Sequence, residues 1–256
     1  MSPVTPASVQ KLQTALHAKA KESPSFRFYA LYDKVYRKDV LAFAYACCRA
    51  NGGATGVDGQ KFEDIEAYGV ERWLDELAQE LKSRTYQPLP VRRVYIPKPD
   101  GKQRPLGVPA IRDRTAEMAA VLVLEPIFEA DLQPEQYAYR RDRSALDAVK
   151  RVDKLIYAGH QEIVDADLSS YFDSIPHSEL LKSVARRVVD GAMLHPIKMW
   201  KFRWKKPTST ETNIGVRETG TTVGVLRKGL RSARCSAIYT CVGSCSGGSN
   251  SGTRSV

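Results

Sequence analysis

The chain is short of several things, and each shortage removes a class of protein. No stretch approaches the roughly eighteen consecutive apolar residues that span a membrane. The first 30 residues scatter Lys11, Lys19 and Lys21 among polar neighbours where a secretory leader would hold an apolar core, so the expectation is a cytoplasmic protein with no membrane partner. Histidine is scarce at 4 residues, and the 5 cysteines fall as the adjacent Cys47 and Cys48 plus three near the end. That pattern makes neither an even disulfide framework nor a zinc spacing with histidine, and reduced thiols are expected. Acids are nearly missing from one region: residues 201–256 hold ten Lys and Arg against two Glu, which leaves only +2 of the overall +10 on residues 1–200.

What is present is the composition of a globular chain, with 43% hydrophobic and 27% charged residues over 256 positions. Because the body is nearly neutral, the usable electrostatic signal is local. A basic band runs through Lys82, Arg84, Arg92, Arg93, Lys98, Lys102, Arg104, Arg112 and Arg114, opposed only by Asp100 and Asp113. Apolar spacing predicts helices over 8–21 and 28–50, the second ended by the turn-forming NGGATGVDG at 51–59. Trp73, Leu74, Leu77 and Leu81 recur at helical spacing and predict an amphipathic helix over 70–84. In VRRVYIPKPDGKQRPLGVP, residues 91–109, β-branched positions flank Pro99-Asp100-Gly101 and predict a hairpin whose arms carry the basic band.

Further along, 113–131 reads as a mostly apolar helix interrupted or ended around Pro126. Ser144 is placed to cap a helix with a buried stripe of Ala145, Val149, Val152, Leu155 and Ile156, closed by Gly159. A strand is expected over 161–168. After Pro176 comes a helix with Leu180, Leu181, Val184 and Val188 on one face.

The stretch DADLSSYFDSIPH, residues 165–177, places three aspartates just after apolar Ile163 and Val164. On an alternating strand Asp165 and Asp167 share a face near the carboxyl end, where an aspartate can serve a hard divalent cation or act only as a capping or solvated surface group. The basic hairpin, a source of cations for polyphosphate, and the nearby Tyr171-Phe172 pair favour the first role.

VDADLSSYFDSIPH resembles the first palm motif of bacterial group II intron reverse transcriptases, which also serve as intron maturases. The likeness covers roughly residues 25–200 and includes RFYALYDKVYR, NGGATGVDG, YIPKPDGKQRPLGVPAIRDR, LEPIFEADL and YAYRRDRSALDAV in order. Arg141-Asp142 stands where that family commonly has Pro-Gly. The resemblance implies an α+β fold, the N-terminal part of a right-hand polymerase. Its parts would be a helical extension over 1–60, fingers over 61–160 and the start of a palm over 161–200. It implies Asp167 as the first catalytic ligand of Mg²⁺, assisted by the carbonyl of Leu168. Phe172 would sit under the nucleotide sugar and exclude a 2′-hydroxyl, while Lys98 and Arg104 would meet the incoming dNTP. Asp165 and Asp173 are left as supporting or structural groups. The implied partners are group II intron RNA and an RNA template with a DNA primer.

The later YADD turn that would supply this family's other carboxylates does not occur here. Instead the character of the chain changes after Trp200. Read from the third base of compatible codons, Phe202–Lys206 can yield VPVEE, Val225–Gly229 GTPQG, Ala233–Ser236 SPLL and Ile238–Ser244 HLYMRRF, all strings of that family in family order. A frameshift near Trp200–Lys201 is therefore expected, with 201–256 an out-of-frame, disordered tail and the chain inactive as a polymerase. The alternatives are a non-catalytic RNA-binding fragment or an unfolded pseudogene product.

Overall fold

The computed structural model describes residues 3–97, 103–160, 162 and 175–202. The first predicted helix forms as α1 (Ala7–Glu22), burying Val9, Leu16 and Ala20. The segment 28–50, expected as one helix, is divided. α2 (Tyr32–Val35) is a single turn, Arg37 is extended, and α3 (Lys38–Asn51) follows. Distant residues impose the break. Phe28 pairs with Val188 as an isolated parallel bridge, Phe28 N–H donating to Arg187 O at 2.7 Å and Val189 N–H donating to Phe28 O at 2.8 Å. The Asp190 carboxylate then accepts from the N–H groups of Leu31 and Tyr32, both at 2.8 Å. Tertiary pairing of this kind outweighs the few tenths of a kcal/mol per residue of helix propensity.

α4 (Phe62–Tyr68) is only 7 residues long, too short for its periodicity to stand out in the sequence. α5 (Val70–Ser83) realises the predicted stripe, with Trp73, Leu74, Leu77 and Leu81 buried. The hairpin also forms: β1 (Arg92–Pro97) pairs antiparallel with β2 (Gln103–Val108), Arg92 opposite Val108 and Pro97 opposite Gln103.

α6 (Ile111–Glu129) is the hub on which α1, α2 and α3 pack. It does not end at Pro126 but runs through it to Glu129. A proline leaves the carbonyl four residues earlier without its N–H partner. That carbonyl is Leu122 O, and Gln13 Nε2 of α1 donates to it at 3.0 Å. A neighbouring helix thus satisfies the acceptor that Pro126 orphans.

α7 (Ala145–Tyr157) carries the expected cap. Asp147 N–H donates to Ser144 Oγ at 3.2 Å and Ser144 N–H donates to the Asp147 carboxylate at 2.9 Å. Gly159, with φ +94°, turns the chain after it. The expected burial of its stripe is not observed: no residue of α7 is buried, and Val149 is 63% exposed. Amphipathic spacing shapes a face, but burial needs an apposed surface, and no described residue buries this one.

α8 (His177–Ala185) buries Leu180 and Val184. Val188, expected on the same helical face, lies past the helix end in the bridge to Phe28. α9 (Gly191–Phe202) adds Met193, Ile197 and Trp200 to a core that is continuous from Val9 to Trp200. The described residues thus form a helix-rich fold with one small antiparallel sheet. The strand expected over 161–168 lies outside the described residues apart from Glu162, as does the tail beyond Phe202. No helix among the described residues is long and apolar enough to cross a membrane.

Candidate functional site

The basic hairpin is held at its root by a buried polar chain. Asp113, in the first turn of α6, accepts from Tyr86 Oη at 2.6 Å and from Leu89 N–H at 2.9 Å. Tyr86 Oη in turn accepts from Trp200 Nε1 at 3.0 Å. Burial, reinforced by the adjacent Asp113 charge, pushes the Tyr86 hydroxyl well above its usual pKa, so it stays a neutral donor. Leu89 begins the segment entering β1. The network therefore ties the hairpin to α6 and to the last described helix.

Two members of the basic band belong to this scaffold. Arg112 stacks over the Tyr86 ring, 5.3 Å from its centroid, and pairs with Glu80. Arg114 is buried and donates to Gly52 O at 3.1 Å and Ala54 O at 2.9 Å. It thereby clamps the glycine-rich turn against α6. Gly56 is required there, because a Cβ would come within 2.5 Å of the Ala110 Cα. The nine cations therefore do not form one surface: Arg112 and Arg114 turn inward, whereas Lys82, Arg84, Arg92 and Arg93 are exposed.

The predicted site residues are largely beyond view. Asp165, Asp167, Leu168, Phe172, Asp173, Lys98 and Lys102 lie outside the described residues. Arg104 is placed by its backbone on β2, opposite Ile96. What is visible is the frame around DADLSSYFDSIPH. α7 ends at Tyr157 before it, and the chain re-enters the core at Ile175, where Pro176 opens α8. Among the described residues no three His, Cys, Asp or Glu side chains gather as a metal site.

The re-entry is strongly anchored. Arg187 donates to Ala20 O at 2.9 Å and to Phe26 O at 3.1 Å, and lies 3.0 Å from the Asp131 carboxylate. Burial raises the pKa of Asp131 despite the opposing pull of Arg187 and Lys21. Asp190 shows the reverse balance. Burial alone would raise it, but the N–H groups of Leu31, Tyr32, Met193 and Ala192 hold it below the ordinary carboxylate range.

In YAYRRDR, Arg140 pairs with Glu129 and Arg141 lies 3.2 Å from Glu125, fixing the segment to the end of α6. Asp142 adopts φ +56°, so the left-handed turn natural to glycine is retained on an aspartate. Sequence reading missed the structural roles of Tyr86, Asp113, Arg187 and Asp190. For Asp113 the available signal was an acid at the head of a long apolar helix, which must find donors if buried.

The reverse transcriptase (RNA-dependent DNA polymerase) family profile matches residues 96–226, half of the chain, beginning on the hairpin and continuing past Trp200. Protein YkfC of Escherichia coli K12 is 38% identical over 200 residues, covering 75% of this chain and 51% of YkfC. The group II intron-encoded protein LtrA of Lactococcus lactis is 32% identical over 167 residues, covering 65% of this chain and 27% of LtrA. A putative COX1/OXI3 intron 1 protein of Saccharomyces cerevisiae is 28% identical over 156 residues, covering 61% of this chain and 18% of that protein. The chain thus spans about half the length of YkfC and much less of the intron-encoded relatives. From the order of its motifs, its hairpin and these matches, the chain belongs to the reverse transcriptase family, as an N-terminal portion of the group II intron reverse transcriptase/maturase type.

Proposed function

We propose that this chain is the fingers and opening palm of a right-hand polymerase encoded by a group II intron, and that it engages RNA without synthesising DNA. The observation that carries the reading is the hairpin. The profile match begins on it, its described strands hold exposed Arg92 and Arg93 with no acidic residue, and Asp113 locks its root to the core. A fixed cationic projection suits phosphate contacts. Lys98 and Arg104 would meet the nucleotide triphosphate, Phe172 would exclude a ribose 2′-hydroxyl, and Asp167 with the Leu168 carbonyl would form part of a Mg²⁺ site.

That donor set is incomplete for two-metal chemistry, which needs several carboxylates around both ions. No YADD string occurs in these 256 residues, and in this reading the frame change near Trp200 removes the region that would encode it. In this reading 1–60 form the N-terminal extension, 61–160 the fingers and 161–200 the palm's beginning. The core continuous to Trp200 supports a folded body up to the proposed break. The family match continues over 201–226, so the break needs a direct test.

The deciding experiment is to sequence the gene across codons 195–205 and beyond, restore the frame, and assay primer extension. The restored chain should contain YADD and extend primers. Asp167→Ala should abolish extension, while Phe172→Ala should admit ribonucleotides. A gene with no YADD-encoding frame downstream would overturn the frameshift, and unchanged sugar discrimination in an active Phe172→Ala variant would overturn that residue's role.

A further inference from the structure

The hairpin has two roots, and both meet at the start of α6. β2 (Gln103–Val108) runs through Pro109 straight into Ala110, the buried residue that precedes α6. β1 is reached through Leu89, whose N–H donates to the Asp113 carboxylate in the first turn of that helix. The two strands pack mainly on each other, so the set of the hairpin depends on how these roots are held. Asp113 is itself held from the other end of the described chain. An indole N–H only donates, and a phenol has one hydrogen to give. The Tyr86 hydroxyl therefore has one arrangement: it accepts from Trp200 Nε1 at 3.0 Å and donates to Asp113 at 2.6 Å. Arg112, paired with Glu80, lies over the Tyr86 ring.

We propose that Trp200 and Tyr86 are positioning residues for the hairpin: the directed chain Trp200–Tyr86–Asp113–Leu89 makes the set of β1 against α6 depend on where α9 lies. Its consequence for RNA rests on the RNA-binding reading above, whereas the link itself does not. Three features carry it. The chain joins elements remote in sequence, Trp200 and Tyr86 being 114 positions apart, so α9 reaches the hairpin root directly. Trp200, Tyr86 and Asp113 are all buried, so water does not replace a partner lost from the chain, and a buried network of this kind is worth more than its separate bonds. Each link also fixes the next. Trp200 sets the place of the Tyr86 oxygen and the direction of its hydrogen, and that hydrogen sets the carboxylate that receives Leu89. A purely structural role would instead spread the effect of losing Trp200 over the whole core.

Backbone hydrogen exchange in the full chain tests the link. Trp200→Phe removes the indole donor and keeps an aromatic ring. In it the Leu89 N–H should exchange about fivefold faster relative to the amides of α1 and α3, the scale of one hydrogen bond. Val9→Ala, a core substitution on α1, should leave that ratio at its wild-type value. Tyr86→Phe should reproduce the fivefold change, and adding Trp200→Phe to it should bring no further change, because the link is already cut. An unchanged ratio in Trp200→Phe, or a second fivefold step in the double variant, would overturn the proposal. Binding of a short oligouridylate then reads the consequence. Trp200→Phe should lose affinity at an unchanged salt slope, since it removes the order of the hairpin and no cation. Equal affinity would overturn the consequence for RNA while leaving the exchange result standing. Failure of wild type to bind would overturn the RNA-binding reading itself.

Discussion

A carboxylate in the first turn of a buried helix has to be satisfied, and Asp113 is satisfied by two donors that both belong to the approach to the hairpin. Removing it takes away the buried acceptor that both the Tyr86 hydroxyl and the Leu89 N–H use. Asp113→Ala should therefore lower unfolding free energy by about 3 kcal/mol, read by urea denaturation, whereas Tyr86→Phe should cost about 1 kcal/mol. A loss below about 1 kcal/mol for Asp113→Ala would contradict the anchor. Asp190 gives a pH signature instead. Its native pKa is held below the unfolded value, so its stabilisation is fully present above about pH 4 and is lost as pH falls through the depressed native value. The stability gap between wild type and Asp190→Asn should narrow as pH drops below about 4. A gap that stays constant with pH would exclude this role.

Among elements, α6 shows how a sequence rule can fail for a local reason. Pro126 should stop a helix, yet the helix continues because Gln13 supplies the hydrogen bond that the proline removes. Gln13→Ala should cost about 1 kcal/mol in the native sequence, and less in a Pro126→Ala background, where the restored N–H at position 126 can reach Leu122 O. Additive effects in that double-mutant cycle would argue that Gln13 acts elsewhere. The elements legible in the sequence were those specified by neighbours: α5 by its apolar stripe, the hairpin by Pro99-Asp100-Gly101, and α7's start by Ser144. The break between Phe28 and Lys38 was not legible, because Val188 and Asp190 impose it from across the chain. The exposure of α7 escaped for a related reason, since its spacing records a face suited to burial and not the presence of something to bury it.

At the scale of the whole molecule, helices α1 to α6 and the returning α8 and α9 share one core, from which the hairpin projects. The family was legible because ordered motifs survive as strings of residues. The basic band was only half legible: charge can be counted in a sequence, but the inward turn of Arg112 and Arg114 depends on Glu80, Tyr86 and the turn carbonyls they meet. The candidate catalytic residues rest on resemblance, with Asp167 and Phe172 outside the described residues. If the chain is the proposed fingers and opening palm without the remaining metal-binding carboxylates, nucleic-acid engagement and catalysis should separate in it. Primer extension tests that separation most directly, using the purified chain with Mg²⁺, deoxynucleotides and an RNA template carrying a DNA primer, and with the bound fraction read in the same reaction. The account predicts salt-sensitive binding of the primed template with no added nucleotide. Reproducible incorporation that disappears in Asp167→Ala would contradict it.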